Sequence, residues 1–283
     1  MPRSDPARIL RQHLQTDALL GAPTVPTPVA PAAPKPAALA PANAARVQPA
    51  APPPPQRPAP SGFSLTPDTP RQAAAPLPPA HPADVKLLDG LTTADKLERL
   101  EQLAAAFEAD AKVQALRPPN TNLVFGEGDV DAKLMFIGEG PGQQEDRTGR
   151  PFVGPAGELL DKMITAMGLA REQVYIANVV KYRPPGNRTP TPEEAAVQGP
   201  YLAQQAAIIR PTALVALGGA AAKYALSTTT GITRLRGQWA QFVHTDPMLP
   251  IMPTFHPAYL LRSYTPDNRK KVWADLQAVL KKL

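Results

Sequence analysis

The chain has 283 residues, 38 of them proline, a formal net charge of +6 and no cysteine. Lacking cysteine, it can form no disulfide, thiolate metal site or Cys nucleophile, a composition that fits a reducing compartment. It has no run of about 18 apolar residues to span a bilayer and no apolar secretory core in MPRSDPARILRQHLQ; its mild basicity permits nucleic-acid binding without requiring it.

Residues 7–20 (ARILRQHLQTDALL) space Ile9, Leu10, Leu14, Leu19 and Leu20 as a short helix would. That helix is either frayed or a peptide that docks on a protein partner. Residues 21–84 are mostly Ala and Pro, with too little apolar bulk to offset ordering entropy, and read as a disordered linker. More than half of the prolines precede Val85, so residues 85–283 form the folded part, long enough for one core. There the pattern predicts a helix over 94–115, strands at 134–137, 174–180, 213–217 and 251–254, and a weaker strand at 238–243. Helices fit 156–167, 192–209, 220–226 and 268–282, with Thr191 as a cap and Pro192 at the first helical position. Alternating strands and helices predict an α/β fold, a three-layer α/β/α sandwich around a mainly parallel four-stranded sheet. Ligands of such sheets bind beyond the carboxyl ends of the strands.

The first strand runs into GEGPGQQEDRTGRPFVG, Gly138 to Gly154. A glycine-rich turn after a strand suggests a phosphate cradle, yet Glu139, Glu145 and Asp146 would repel phosphate and no Walker Lys follows. The second strand carries ANVVKYRPPGNR, the third LGGAAAKYAL, the fourth FHPAYLLRS. Together these ends offer groups for a small planar polar ring: the Asn178 amide, the His256 imidazole, the flat face of Phe152, and close backbone approach at Gly140 and Gly142. Singly, each has a plainer reading: Asn178 as a strand-end turn residue, Phe152 as core, His256 as structural and Glu139 as a solvated acid.

GEGPGQQEDRTGRPFVGPAG, VYIANVVKYRPPGNR and TFHPAYLLR, in that order, resemble the family-4 type of uracil-DNA glycosylase from about Leu103 to the C-terminus. The resemblance implies hydrolysis of the N-glycosidic bond of uracil in DNA, without a metal, after the base is swung out of the helix. It implies that Phe152 stacks on the ring, Asn178 reads O4 and N3–H, and His256 and the Gly140 N–H stabilise charge on O2. Glu139 would hold water or favour the cationic sugar, and Glu145 would crowd thymine's methyl group. Ala258 to Leu261 could form an apolar wedge, with Leu260 or Leu261 equally readable as core. Arg262, Ser263, Lys181, Arg183, Asn187 and Arg188 could meet phosphates.

The family holds a [4Fe–4S] cluster through four cysteines, and flanking residues align those positions with Ala111, Gln114, Tyr182 and Gln198. None is a thiolate, so the expectation is no cofactor, with Tyr182 filling the space. The remaining expectations are a monomer acting on uracil-containing DNA in the cytoplasm, at the bacterial nucleoid, without membrane attachment. A competing reading is a non-catalytic module that binds uracil or damaged DNA and recruits a partner through the N-terminal helix.

Overall fold

The computed structural model describes residues 85–283. The expected partner-docking helix at 7–20 and the Pro/Ala linker at 21–84 lie outside the described residues. Within 85–283 a sheet runs in the order β1-β3-β2-β4-β6-β5, with β1 at Glu127–Gly128, β2 at Leu134–Gly138, β3 at Tyr175–Asn178, β4 at Ala213–Leu217, β5 at Ala240–Phe242 and β6 at Leu249–Thr254. The central β3, β2, β4 and β6 are parallel. The sequence suggested a four-stranded sheet and a weaker strand at 238–243; the latter is β5, and the structure adds β1, each antiparallel to its neighbour at an edge.

Side-chain alternation along the central strands makes the three layers. Leu134, Phe136, Ile176, Val215 and Met252 face one way, onto Leu160 and Ile164 of the Pro155–Ala166 helix and Val272 and Leu276 of the Pro266–Leu280 helix. Met135, Ile137, Ala177, Leu214 and Ile251 face the other way, onto Leu202 and Ala206 of the Pro192–Ile209 helix and Leu100 and Leu103 of the Thr93–Ala109 helix. The Pro192–Ile209 helix starts as its sequence dictates: Thr191 Oγ1 accepts from the Glu194 N–H at 3.1 Å, and the Glu194 carboxylate accepts from the Thr191 N–H at 2.7 Å.

The single helix expected over 94–115 breaks at Asp110, whose backbone is extended (ψ 115°) and whose side chain caps a second helix, Ala111–Leu116. The acidic middle of the glycine-rich stretch forms a short helix, Gln143–Thr148, closed by Gly149 at φ 70°. FHPAYLLR likewise turns helical at Pro257–Arg262. The chain crosses from β3 over β2 to β4, so the crossover direction reverses and opens a crevice beyond the carboxyl ends of the strands.

Candidate active site

A cavity of about 670 Å³ occupies that crevice, within the range of pockets for small ligands. Glu139, Gly140, Glu145, Phe152, Asn178 and His256 all line it. The three residues expected to grip one ring therefore share one chamber.

Asn178 ends β3 opposite Gly138 and is 1% exposed. Its Oδ1 is buried with no partner among the described residues. Such an orphaned acceptor costs roughly 1–3 kcal/mol unless a donor arrives. Gly138 is bare for a reason: a Cβ there would stand 2.2 Å from Asn178 Oδ1 and 2.6 Å from the Phe152 ring.

Phe152 stacks against His256, ring centroids 5.7 Å apart at 29°. Its backbone lies in the left-handed region (φ 51°), where a non-glycine residue is strained. Glu145 Oε1 accepts from the Val153 and Gly154 N–H groups at 2.9 and 2.8 Å. Of the carboxylates that argued against phosphate, Glu145 thus ties down its own loop, and Asp146 accepts from the Asn122 N–H at 2.8 Å.

His256 caps the Pro257–Arg262 helix. Its Nδ1 accepts from the Ala258 N–H at 3.0 Å, which leaves Nε2 as the ring's donor. Burial, aided by the charge of Arg262 and opposed by Glu145, brings its pKa down to about 4, so the imidazole is neutral at neutral pH. The strand end before it is anchored by Thr254 Oγ1, which donates to Asp275 Oδ2 at 2.6 Å. Asp275 pairs in turn with Arg236.

The third strand end, which offered no functional group in the sequence, contributes space. Gly218 (φ 91°) lines the cavity, and a Cβ there would meet the His256 Cβ at 2.8 Å. Ile232 and Thr233, from the short Ile232–Leu235 helix, complete that wall; nothing in their local sequence marks them. Gly140 is bare because of packing as well: a Cβ would stand 2.7 Å from Val180 Cγ2.

The groups expected to face DNA divide. Lys181 is fully buried, its Nζ donating to the Asn178 carbonyl at 2.8 Å and to Gln205 Oε1, and burial holds its pKa well below the usual lysine range. This corrects its assignment to phosphate contact. Leu260 is 3% exposed and sits in the core with Leu159 and Met163, so it is no wedge as placed; Leu261 and Tyr259, 46% and 37% exposed, are the protruding pair. Arg188 is held by both oxygens of Glu194 at 2.8 and 2.7 Å. Arg183 is bound to Asn187 Oδ1 at 2.7 Å. Arg262 is exposed on the cavity rim and forms no ion pair among the described residues.

The four positions aligned with the cluster cysteines do not fit an iron–sulfur group, whose irons need thiolate ligands. Tyr182 is 1% exposed and packs on Phe107 at 5.5 Å between ring centroids, with the Arg117 guanidinium over its ring at 4.6 Å. Gln114 Nε2 donates to the Tyr182 hydroxyl at 3.4 Å, and Gln198 Oε1 accepts from the Lys181 N–H at 2.7 Å. Ala111 is exposed. Among the described residues, no group of three or more His, Cys, Asp or Glu side chains could hold a metal ion, and no helix is long and apolar enough to cross a membrane.

The chain is 48% identical over 158 residues to a type-4 uracil-DNA glycosylase of Thermotoga maritima, covering 56% of this chain and 81% of that protein. It is 40% identical over 168 residues to a type-4 uracil-DNA glycosylase of Archaeoglobus fulgidus, covering 58% and 83%. A type-5 uracil-DNA glycosylase of Pyrobaculum aerophilum matches at 36% over 106 residues, covering 32% and 46%. The family model described as the uracil DNA glycosylase superfamily matches residues 125–277, from β1 into the last helix and thus across every element that walls the cavity, and the chain belongs to that superfamily.

Proposed function

We propose that residues 85–283 form a type-4, monofunctional uracil-DNA glycosylase domain that hydrolyses the bond between uracil and deoxyribose in DNA, leaving an abasic site. The observation that carries this reading is the orphaned Oδ1 of the buried Asn178 carboxamide. Uracil N3–H supplies the missing donor, and the Asn178 amide N–H donates to O4. Cytosine presents the opposite pattern and leaves buried polar groups unpaired, the arrangement that gives large discrimination.

Phe152 stacks on the extruded ring. The neutral His256, its Nδ1 already occupied, donates from Nε2 to uracil O2, where negative charge grows as the glycosidic bond breaks. Removal of such a donor costs roughly 3–4 kcal/mol at other oxyanion sites. The Gly140 N–H supplements it, Glu139 holds water or favours the cationic sugar, and the fixed carboxylate of Glu145 leaves no room for thymine's methyl group. Tyr259 and Leu261 fill the vacated stack, and Arg262 meets the phosphates. The domain works without an iron–sulfur cluster, its former staple supplied by the packing around Tyr182.

Uracil release from single- and double-stranded oligonucleotides tests this. Asn178→Ala and His256→Ala should each lower release a hundredfold or more, as loss of one oxyanion donor does (~10²–10³), while sparing DNA affinity. Retained activity in both variants, or tight binding by the wild type with no release, would overturn the proposal.

A further inference from the structure

Phe152 owes its strained backbone to grips on both of its flanking peptides. On the C-terminal side, Glu145 takes the Val153 and Gly154 N–H groups. On the N-terminal side, the Pro151 carbonyl accepts from Arg171 Nη2 at 2.5 Å. Arg171 stands just before β3, in a short 3₁₀ turn at Arg171–Gln173. All three of its guanidinium nitrogens are engaged: Nε and Nη2 donate to Glu127 Oε1 at 3.0 and 2.6 Å, and Nη1 donates to Asp161 Oδ1 at 2.6 Å. Glu127, on the edge strand β1, is shared with Arg150 at 2.7 Å. Burial pushes its carboxyl pKa up, but the hydrogen bonds from Arg150 and Arg171 outweigh that and hold it below the ordinary range.

The arrangement leaves Phe152 little freedom. A Cβ on Gly157 would stand 1.9 Å from the Phe152 carbonyl oxygen, and one on Gly138 would stand 2.6 Å from its ring. Neither Arg171 nor Glu127 lines the cavity. Arg171 meets the Pro151–Phe152 peptide, and Glu127 meets Arg171.

We infer that Arg171, oriented by Glu127 and Asp161, is a positioning residue for the pocket: by holding the Pro151 carbonyl it fixes the plane of the Phe152 ring against which the base stacks. The inference rests on the stacking role proposed for Phe152. An ion-pair network that only stabilised the sheet edge would affect every variant alike, so a double-mutant cycle separates the two roles. In the wild-type background, Arg171→Ala should lower kcat/KM for uracil release by about tenfold to a hundredfold, as small misplacements in a pocket do. In a Phe152→Leu background, where no aromatic plane remains to be set, the same change should have little effect. Arg171→Lys, with a single point of contact, should recover part of the loss, and Glu127→Gln, which keeps the shape, should reproduce part of it if Arg171→Ala fails to fold. Equal losses in both backgrounds, or none in either, would overturn the positioning role and leave the glycosylase reading standing. A wild-type chain that releases no uracil would instead overturn the glycosylase reading, and this inference with it.

Discussion

His256 shows how one side chain is set up for its task by groups on both sides. Helix capping consumes Nδ1, and burial keeps the ring uncharged. An unfolded histidine titrates near 6.5, and this one near 4 when folded. Between those values the unfolded chain binds the extra proton, so folding stability is full above pH 6.5 and falls as the pH drops toward 4, by roughly 3 kcal/mol. The depressed pKa of buried His244 acts in the same direction. Thermal melts should therefore show a loss from pH 7 to 4.5 that shrinks in His256→Gln; an unchanged loss would place the effect elsewhere. At this scale the sequence was informative where chemistry is unusual and mute where direction decides. Asn178, Phe152 and His256 stood out because a carboxamide, an aromatic ring and an imidazole all fell at strand ends. Lys181 was misread, because charge argues for the surface while the bend after β3 places it inside. Leu260 and Leu261 are adjacent in a helix, so they point about 100° apart, and only the helix's orientation tells which enters the core.

Among the elements, long periodic segments were legible and short ones were not. The Pro192–Ile209 helix begins at its capping box as expected. β1, two residues long, has no alternation to read, yet it supplies Glu127. The helix break at Asp110 is a contest between helix continuation and a capping side chain, and capping wins, helped by the Tyr201 hydroxyl, which donates to Asp110 at 2.8 Å. That break brings Gln114 to Tyr182. The small cluster of Phe107, Val113 and Tyr182 then ties the N-terminal helices to the loop after β3. Tyr182→Ala should cost roughly 3–5 kcal/mol, the usual figure for an aromatic side chain cut from a core. Tyr182→Phe, which gives up only a long hydrogen bond, should cost under about 1 kcal/mol. Chemical denaturation measures both; equal small effects would mean that the cluster carries little load.

For the molecule as a whole, the parallel orientation of the central strands followed from alternating strand and helix patterns, though not their order, and the position of the cavity followed from the strand ends. Of the edge strands, β5 was legible only as the weaker strand at 238–243 and β1 not at all, because two residues pairing antiparallel leave no period. The proposed absence of a cluster is tested directly: purified chain should hold no iron and show no visible charge-transfer band, and prolonged chelation should leave uracil release unchanged. Stoichiometric iron would contradict the reading. The aromatic and amide wall around Tyr182 also has a chemical consequence. A cluster held by thiolates at these positions would be open to peroxide, which oxidises thiolates. Ring carbons and amides offer no thiolate, so on the proposed cluster-free reading uracil release by this chain should survive peroxide exposure.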